Sequence, residues 1–205
     1  HGLTSRPDLR PPQLKVRRSN DRAAPGRIFF SPRFEGMTIA DGQGRINWYQ
    51  PIGDAAPDEE VWDLRAQRYL GQPVLTYWRG APAAGDGPMI GGFEILDNSY
   101  RRIGRFTGAN GYRPDIHEFK LSNRGTALVM AYRPVRWDLT AVGGERNDRV
   151  SDNVVQEVEL STGAVIFEWH ALGSVPLSAS SKPLPTGDSP WDFFHVNSAS
   201  PDGDS

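Results

Sequence analysis

Two histidines stand at matching positions in two stretches of the chain that resemble each other. His117 opens a short strand-like pattern that runs into a turn at Gly125, and His195 opens a similar segment that ends at Gly203. In both stretches the glycine follows the histidine by eight residues. An imidazole can donate hydrogen bonds to an oxyanion, attack an electrophile or carry a proton. Two rings at equivalent positions of a repeated unit can face one ligand, so the spacing predicts a shared site.

Asn197 extends this candidate site by one amide group. On a β-strand, residues i and i+2 point to the same side, so we expect Asn197 and His195 to reach the same anion. His117 would share its strand face with Phe119 and Leu121, and a lone histidine in such company is more often a packed core residue. The matching His195 favours the functional interpretation over that one.

The elements that must position these residues are strands. A strand leading to a hairpin turn, repeated at large spacing, is typical of a β-propeller, in which four antiparallel strands make one blade. The third unit is the clearest, because Val165, Phe167 and Trp169 share one face of a strand, with Ile166, Glu168 and His170 on the other, and Ser161–Gly163 forms a short turn before them. Its four predicted strands are His117–Leu121, Ala127–Tyr132, Val154–Leu160 and Val165–His170.

The sequence predicts an all-β fold with about three blades plus the first strand of a fourth, which starts at Phe193 or Phe194. Residues 1–27 are polar and rich in arginine and proline, and we expect an extended N-terminal arm there. Residues 28–205 are predicted to form the N-terminal half of a propeller. Asp58–Gln67 is the best helix candidate, and it competes with a strand at Val61–Leu64.

Composition excludes several classes of function. The chain has 205 residues, no cysteine and a formal net charge of −2, so thiolate metal sites, cysteine nucleophiles and a nucleic-acid footprint are not expected. No apolar run approaches a membrane span. The acidic loops indicate calcium only weakly, and we predict no metal and no cofactor. The chain begins at His1 and not at methionine, so a lost export signal is compatible with the sequence.

Five stretches of the chain resemble one protein family. They are Leu70–Gly80, Asp115–Phe119, Val155–Val158, Phe167–His170 and Pro190–Ser198, of which the Trp-Asp-Phe-Phe-His-Val-Asn string in the last is the most specific. The chain resembles the arylsulfate sulfotransferase-like propellers, in the branch of actinomycetes and filamentous fungi. The resemblance runs from Arg6 to Ser205 and covers roughly the first half of a typical member.

The resemblance implies an exported six-bladed propeller that transfers a sulfuryl group from an aryl sulfate to a phenol. In the best understood bacterial branch a histidine attacks the sulfur and becomes a sulfohistidine, while further histidines, an asparagine and an arginine hold the sulfate oxygens. By motif, His117 corresponds to one supporting histidine, and His195 and Asn197 to the His-x-Asn pair. The nucleophilic histidine and the arginine correspond to blades beyond Ser205.

Two other functions stay open at this point. A non-catalytic propeller could bind a ligand or a protein partner on the same scaffold, and a lactonase-type hydrolase would need carboxylate ligands around a central calcium. The expected partner is the rest of the propeller, supplied by a second polypeptide or by the remainder of this one. The segment Pro201–Ser205 reads as a hairpin tip at which the two halves would meet.

Overall fold

The computed structural model describes residues 7–18, 24–32, 35–53, 58–82 and 89–201. Four features of the sequence lie wholly or partly outside these residues: His1, the acidic loop around 54–57, the loop around 83–88 and the expected hairpin tip after Pro201.

The described regular elements are β-strands, apart from two 3₁₀ turns at Thr140–Val142 and Leu177–Ala179. The all-β prediction is confirmed, and residues 60–69 form a strand, not the competing helix. In chain order the strands are β1 (Arg27–Phe30), β2 (Met37–Asp41), β3 (Ile46–Gln50), β4 (Glu60–Tyr69), β5 (Gln72–Ala81), β6 (Ile90–Leu96), β7 (Arg102–Phe106), β8 (Phe119–Leu121), β9 (Thr126–Trp137), β10 (Asp148–Glu159) and β11 (Val165–His170).

These strands form three antiparallel sheets. Sheet 1 has the order β1-β2-β3, sheet 2 has the order β4-β5-β6-β7, and sheet 3 has the order β11-β10-β9-β8. Each is a meander in which sequence neighbours pair, which is the arrangement of a propeller blade. No described helix is long and apolar enough to cross a membrane.

The sheets pack face to face through two clusters of buried side chains. Between sheets 1 and 2, Met37 and Ile39 pack with Val61, Leu75 and Tyr77. Between sheets 2 and 3 the contact is aromatic: Phe93 stacks on Phe119 with ring centroids 4.5 Å apart. Burial of these faces is the main stabilising contribution, since apolar area is worth about 25 cal/mol per Å².

A pair of glycines in sheet 2 leaves space for the indole of Trp78, which bonds the loop that carries His117. Gly80 and Gly91 lie opposite each other on β5 and β6. A Cβ on Gly91 would lie 2.4 Å from the ring of Trp78, so only glycine allows the indole to lie flat there. The fully buried Trp78 then donates its Nε1–H to the carbonyl of Pro114 at 3.3 Å. This bond ties sheet 2 to the loop that carries His117.

Two expectations about sheet 3 and its continuation were wrong. The hairpin β9–β10 is longer than predicted and pairs as far as Trp137 with Asp148, where Leu139 and Val150 join a third buried cluster. The first strand of a fourth blade, expected from Phe193 or Phe194, is not formed by residues 193–201. A strand exists only against a hydrogen-bonding neighbour, and the described residues offer this segment none apart from one parallel bridge between Val150 and Trp191.

Candidate functional site

His117 lies in the loop between sheets 2 and 3, immediately before β8. It was predicted as the first residue of that strand, but β8 begins at Phe119. The Asp115 carboxylate accepts a hydrogen bond from the His117 backbone N–H at 3.0 Å and also contacts Nδ1 of the ring. The backbone N–H of Asp115 donates to Met130 of β9 at 2.8 Å. The Asp-x-His spacing therefore forms a local turn that holds the ring on the edge of sheet 3.

His195 lies on the irregular segment that follows β11. Its φ of 57° is in the left-handed region, so the strand predicted around it is absent and the alternation argument does not apply. Its Nδ1 contacts the carboxylate of Asp192, three residues earlier. The segment is anchored at Val196, whose N–H donates to Oδ1 of the fully buried Asn153 at 2.8 Å. The Tyr132 hydroxyl donates to the Val196 carbonyl.

The structure brings the two imidazole rings together. Their centroids lie 6.1 Å apart with the planes at 73°, and the ring of Tyr132 lies 5.9 Å from that of His195. The side chains of His117 and His195 are 39% and 43% exposed, so both can meet a ligand from solvent. The two rings therefore lie close together, one on a loop and the other on an irregular segment, and their binding of one shared ligand stays a prediction.

Each histidine has a carboxylate on Nδ1 and no hydrogen bond on Nε2 within the described residues. A carboxylate on Nδ1 fixes the orientation of the ring. In a doubly protonated ring Nε2–H is a donor, and donors on two neighbouring rings can bind the oxygens of one tetrahedral anion. In the neutral form, Nε2 instead carries a lone pair that can act as a base or nucleophile.

A buried ionic network supports the His117 side of the site. Arg65 on β4 contacts the Glu118 carboxylate, bonds Oδ1 of Asp63 through Nε at 2.5 Å, and reaches the His117 carbonyl at 3.3 Å. Asp63 sits in a bulge of β4 with a φ of 54° and has its Oδ2 buried without a partner in the described residues. Burial raises the pKa of Asp63 to about 6 in spite of the neighbouring Arg65.

Tyr132 and Asp192 connect the two halves of the site. Burial, together with the charges of Asp115 and Asp192, raises the pKa of Tyr132 above its ordinary value, so the phenol keeps its proton and remains a donor. Burial alone would raise the pKa of Asp192, but hydrogen bonds from Lys182 (2.8 Å) and His195 outweigh it and hold the pKa below its usual range.

A pocket adjoins the histidine pair. Its volume is about 210 Å³, and it shares Asp115 and Tyr132 with the site. Met89, Pro114 and Pro134 supply apolar surface to its wall. The space suits a small organic group placed next to the two imidazole rings.

The other predicted residues are placed differently. Asn197 is exposed and makes no side-chain hydrogen bond within the described residues, so its role stays a prediction. His170, taken as a structural residue, has both ring nitrogens engaged: Nδ1 bonds Asp152 at 2.6 Å and Nε2 bonds Glu168 at 3.0 Å. These bonds leave it no free nitrogen for chemistry.

Sequence reasoning missed most of the supporting residues. Asp115 was inside a quoted motif, and its position two residues before a histidine is a recognisable turn signal. Asp192 lies inside the most specific motif, but the motif does not show that its carboxylate contacts His195. Tyr132 and Arg65 carried no signal, because their contacts cross 64 and 53 residues of chain and depend on how the sheets stack.

Comparison with known proteins gives one match. A search of curated proteins and a search of solved structures returned none. The family model for Arylsulfotransferase (ASST) matches residues 65–205, which is more than half of the chain and contains both histidines of the site. The chain belongs to the Arylsulfotransferase (ASST) family.

Proposed function

We propose that the His117–His195 pair binds the sulfuryl group of an aryl sulfate in an arylsulfotransferase reaction. The observation that carries this proposal is the pairing itself: two rings 6.1 Å apart, each with a carboxylate on Nδ1, inside the region that matches the family. Sulfuryl transfer resembles phosphoryl transfer, in which charge spreads over the non-bridging oxygens and catalysis is mostly positioning and electrostatics.

The proposed reaction has two displacement steps. A histidine nitrogen attacks sulfur, the S–O bond to the aryl group breaks, and the phenolate leaves. A phenolic acceptor then attacks the sulfohistidine, gives its proton to a base and restores the free histidine. Following the resemblance of the motifs, the attacking histidine comes from a part of the propeller beyond these residues, whether the same polypeptide or a second one. His117 and His195 donate Nε2–H bonds to the sulfuryl oxygens, and Asn197 adds an amide donor.

The supporting residues fit these roles. Asp115 and Asp192 orient the two rings through Nδ1, and Tyr132 fixes the segment that carries His195. The family match and the resemblance also favour a location outside the cytoplasm, which we include in the proposal.

Turnover of a chromogenic aryl sulfate by the complete propeller tests the proposal. We expect His117→Ala and His195→Ala each to lower kcat/KM for 4-nitrophenyl sulfate by about 10²–10³-fold, the usual effect of removing one preorganised donor to developing negative charge. His170→Asn is the matched control, because it removes an imidazole with no free nitrogen, and its rate should stay near that of the wild type. Unchanged rates in folded His117 and His195 variants would favour the non-catalytic propeller.

A further inference from the structure

The pocket beside the histidine pair combines aromatic walls with unpaired positive charge. Of the nine residues that line it, Tyr112 and Tyr132 supply rings and Arg113 and Arg133 supply cations. A cavity of about 150 Å³ is enough to hold a benzene ring, so the volume of about 210 Å³ here accommodates one substituted ring. The occupant indicated by shape and lining is a single aromatic ring.

The position of the pocket links it to the reaction centre. Asp115, which holds His117, and Tyr132, whose ring lies 5.9 Å from that of His195, both belong to the pocket wall. The pocket and the histidine pair therefore have these two residues in common, and a ring bound in the pocket lies beside the pair.

The pocket lining carries more positive charge than the binding of a neutral ring requires. Arg133 lies over the ring of Tyr112, with its guanidinium carbon 5.4 Å from the ring centroid, so a fixed aromatic surface orients this cation. Within the described residues, neither Arg113 nor Arg133 is paired with a carboxylate, and both are exposed. The single acidic residue of the wall, Asp115, is already engaged by His117. The pocket therefore presents net positive charge to its occupant.

We propose that this pocket holds the ring of the aryl sulfate, and that Arg113 and Arg133 select rings carrying a second anionic substituent such as a carboxylate. This inference rests on the proposed function for the identity of the first anion. Arginine binds carboxylate in a planar, bidentate geometry, so the preference is for a carboxylate or sulfonate on the ring and not for bulk.

Equilibrium binding to the complete propeller tests the selectivity without turnover. The probes are 4-sulfobenzoate, which has two anionic groups, and benzenesulfonate, which has one. We expect the dianion to bind about tenfold more tightly by isothermal titration calorimetry, and the Arg113→Gln/Arg133→Gln double variant to lose that preference. Arg136→Gln is the control: Arg136 is also exposed on β9, but it bonds the carbonyl of Asn147 at 2.8 Å and does not line the pocket. Equal affinities in the wild type, or a preference that survives in the double variant, would overturn the proposal.

Turnover separates this proposal from the proposed function. The matched substrates are 4-carboxyphenyl sulfate and its methyl ester, whose leaving groups are similar but whose charges differ. A higher kcat/KM for the acid, lost in the double variant, supports both proposals. If neither substrate is turned over but the binding preference is intact, the result contradicts only the proposed transferase function. If both substrates are turned over at equal rates and the two probes bind equally, the result contradicts only the proposed selectivity for a second anionic group.

Discussion

His117 and His195 each hold a carboxylate on Nδ1, yet the chain fixes the two pairs in different ways. The first pair is built into the sheets. Its loop is bonded to Trp78 on one side and to Met130 on the other, and Arg65 reaches it from β4. The second pair lies on an irregular segment that Tyr132 and Asn153 bond at Val196, while the backbone of the buried Trp191, next to Asp192, pairs with Arg149 and Ser151. The first pair is thus supported by the ionic network of Arg65 on sheet 2, whereas the second is supported by bonds to sheet 3.

Two carboxyl groups, one near each histidine, also differ in whether burial or neighbouring side chains decide their pKa. Asp63, near His117, is dominated by burial, which raises its pKa to about 6 although Arg65 is bonded to it. Asp192, beside His195, is also penalised by burial, but Lys182 and His195 together hold its pKa below the usual range. Arg65, which also bonds Glu118, does not offset burial at Asp63, while Lys182 and His195 together do at Asp192.

Removing Arg65 tests most directly whether the ionic network on the His117 side stabilises the fold. Arg65→Met leaves Asp63 and Glu118, both largely buried, without their shared cation. We expect a loss of about 2–3 kcal/mol in the free energy of unfolding, below the ~3–5 kcal/mol of a fully buried pair because the Arg65 side chain is 39% exposed. Urea denaturation measures it.

Arg68→Met is the matched control for that variant. Arg68 lies three residues further along β4, is exposed, and bonds only the carbonyl of Gly71 at 2.9 Å. Its replacement should change the stability by no more than about 0.5 kcal/mol. Equal effects of the two variants would show that the network contributes nothing specific.

The sequence predicts the regular parts of this molecule better than the parts that carry the chemistry. The strand Val165–His170 was predicted with its observed bounds, because its side chains alternate and a Ser-Thr-Gly turn precedes it. His195 was placed on a strand because its segment resembles the one at His117. A pattern of side chains does not reveal whether the backbone has a hydrogen-bonding neighbour, and His195 instead has a φ of 57°. The proximity of the two rings was predictable from the repeat, but their contacts with Tyr132 and Arg65 depend on sheet stacking.

The pH dependence of stability sharpens the contrast between the two carboxyl groups. The folded-state pKa of Asp63, about 6, lies above the value of an unfolded aspartate, about 3.9. The folded state therefore binds the proton more tightly, and the stabilisation is full below pH 4 and is lost as the pH rises through 6. Relative to Asp63→Asn, the wild type should lose on the order of 1–2 kcal/mol between pH 4 and pH 7, since partial solvent access weakens the effect.

Asp97 serves as a control, because its contribution to stability should change with pH in the opposite direction. Hydrogen bonds from Arg101 and Ser99 hold its pKa below the usual value, so its contribution to stability is present at neutral pH and lost in acid. Asp97→Asn should therefore shift the stability curve in the direction opposite to Asp63→Asn. Parallel curves for wild type and Asp63→Asn would mean that Asp63 ionises normally and that the contrast with Asp192 does not exist.

Lys182→Met has the smallest expected effect, because His195 remains as a second hydrogen-bond partner of the Asp192 carboxylate. Lys182 is 45% exposed, and an ion pair of this kind is worth about 0.2–1 kcal/mol, so the free energy of unfolding at pH 7 should fall by no more than that. The pKa of Asp192 should move upward, since burial is then opposed by His195 alone. A carboxyl group with a lowered folded-state pKa contributes stability that is full above its unfolded pKa and is lost as the pH falls through its folded-state pKa, so the acid-side loss should be smaller and end at a higher pH in the variant. Lys120→Met is the control, because Lys120 bonds the neutral hydroxyl of Ser200 at 2.7 Å and its loss should leave the acid side unchanged. If urea unfolding between pH 3 and pH 7 gives the same acid-side curve for both lysine variants, the low pKa of Asp192 is due to His195 and not to Lys182.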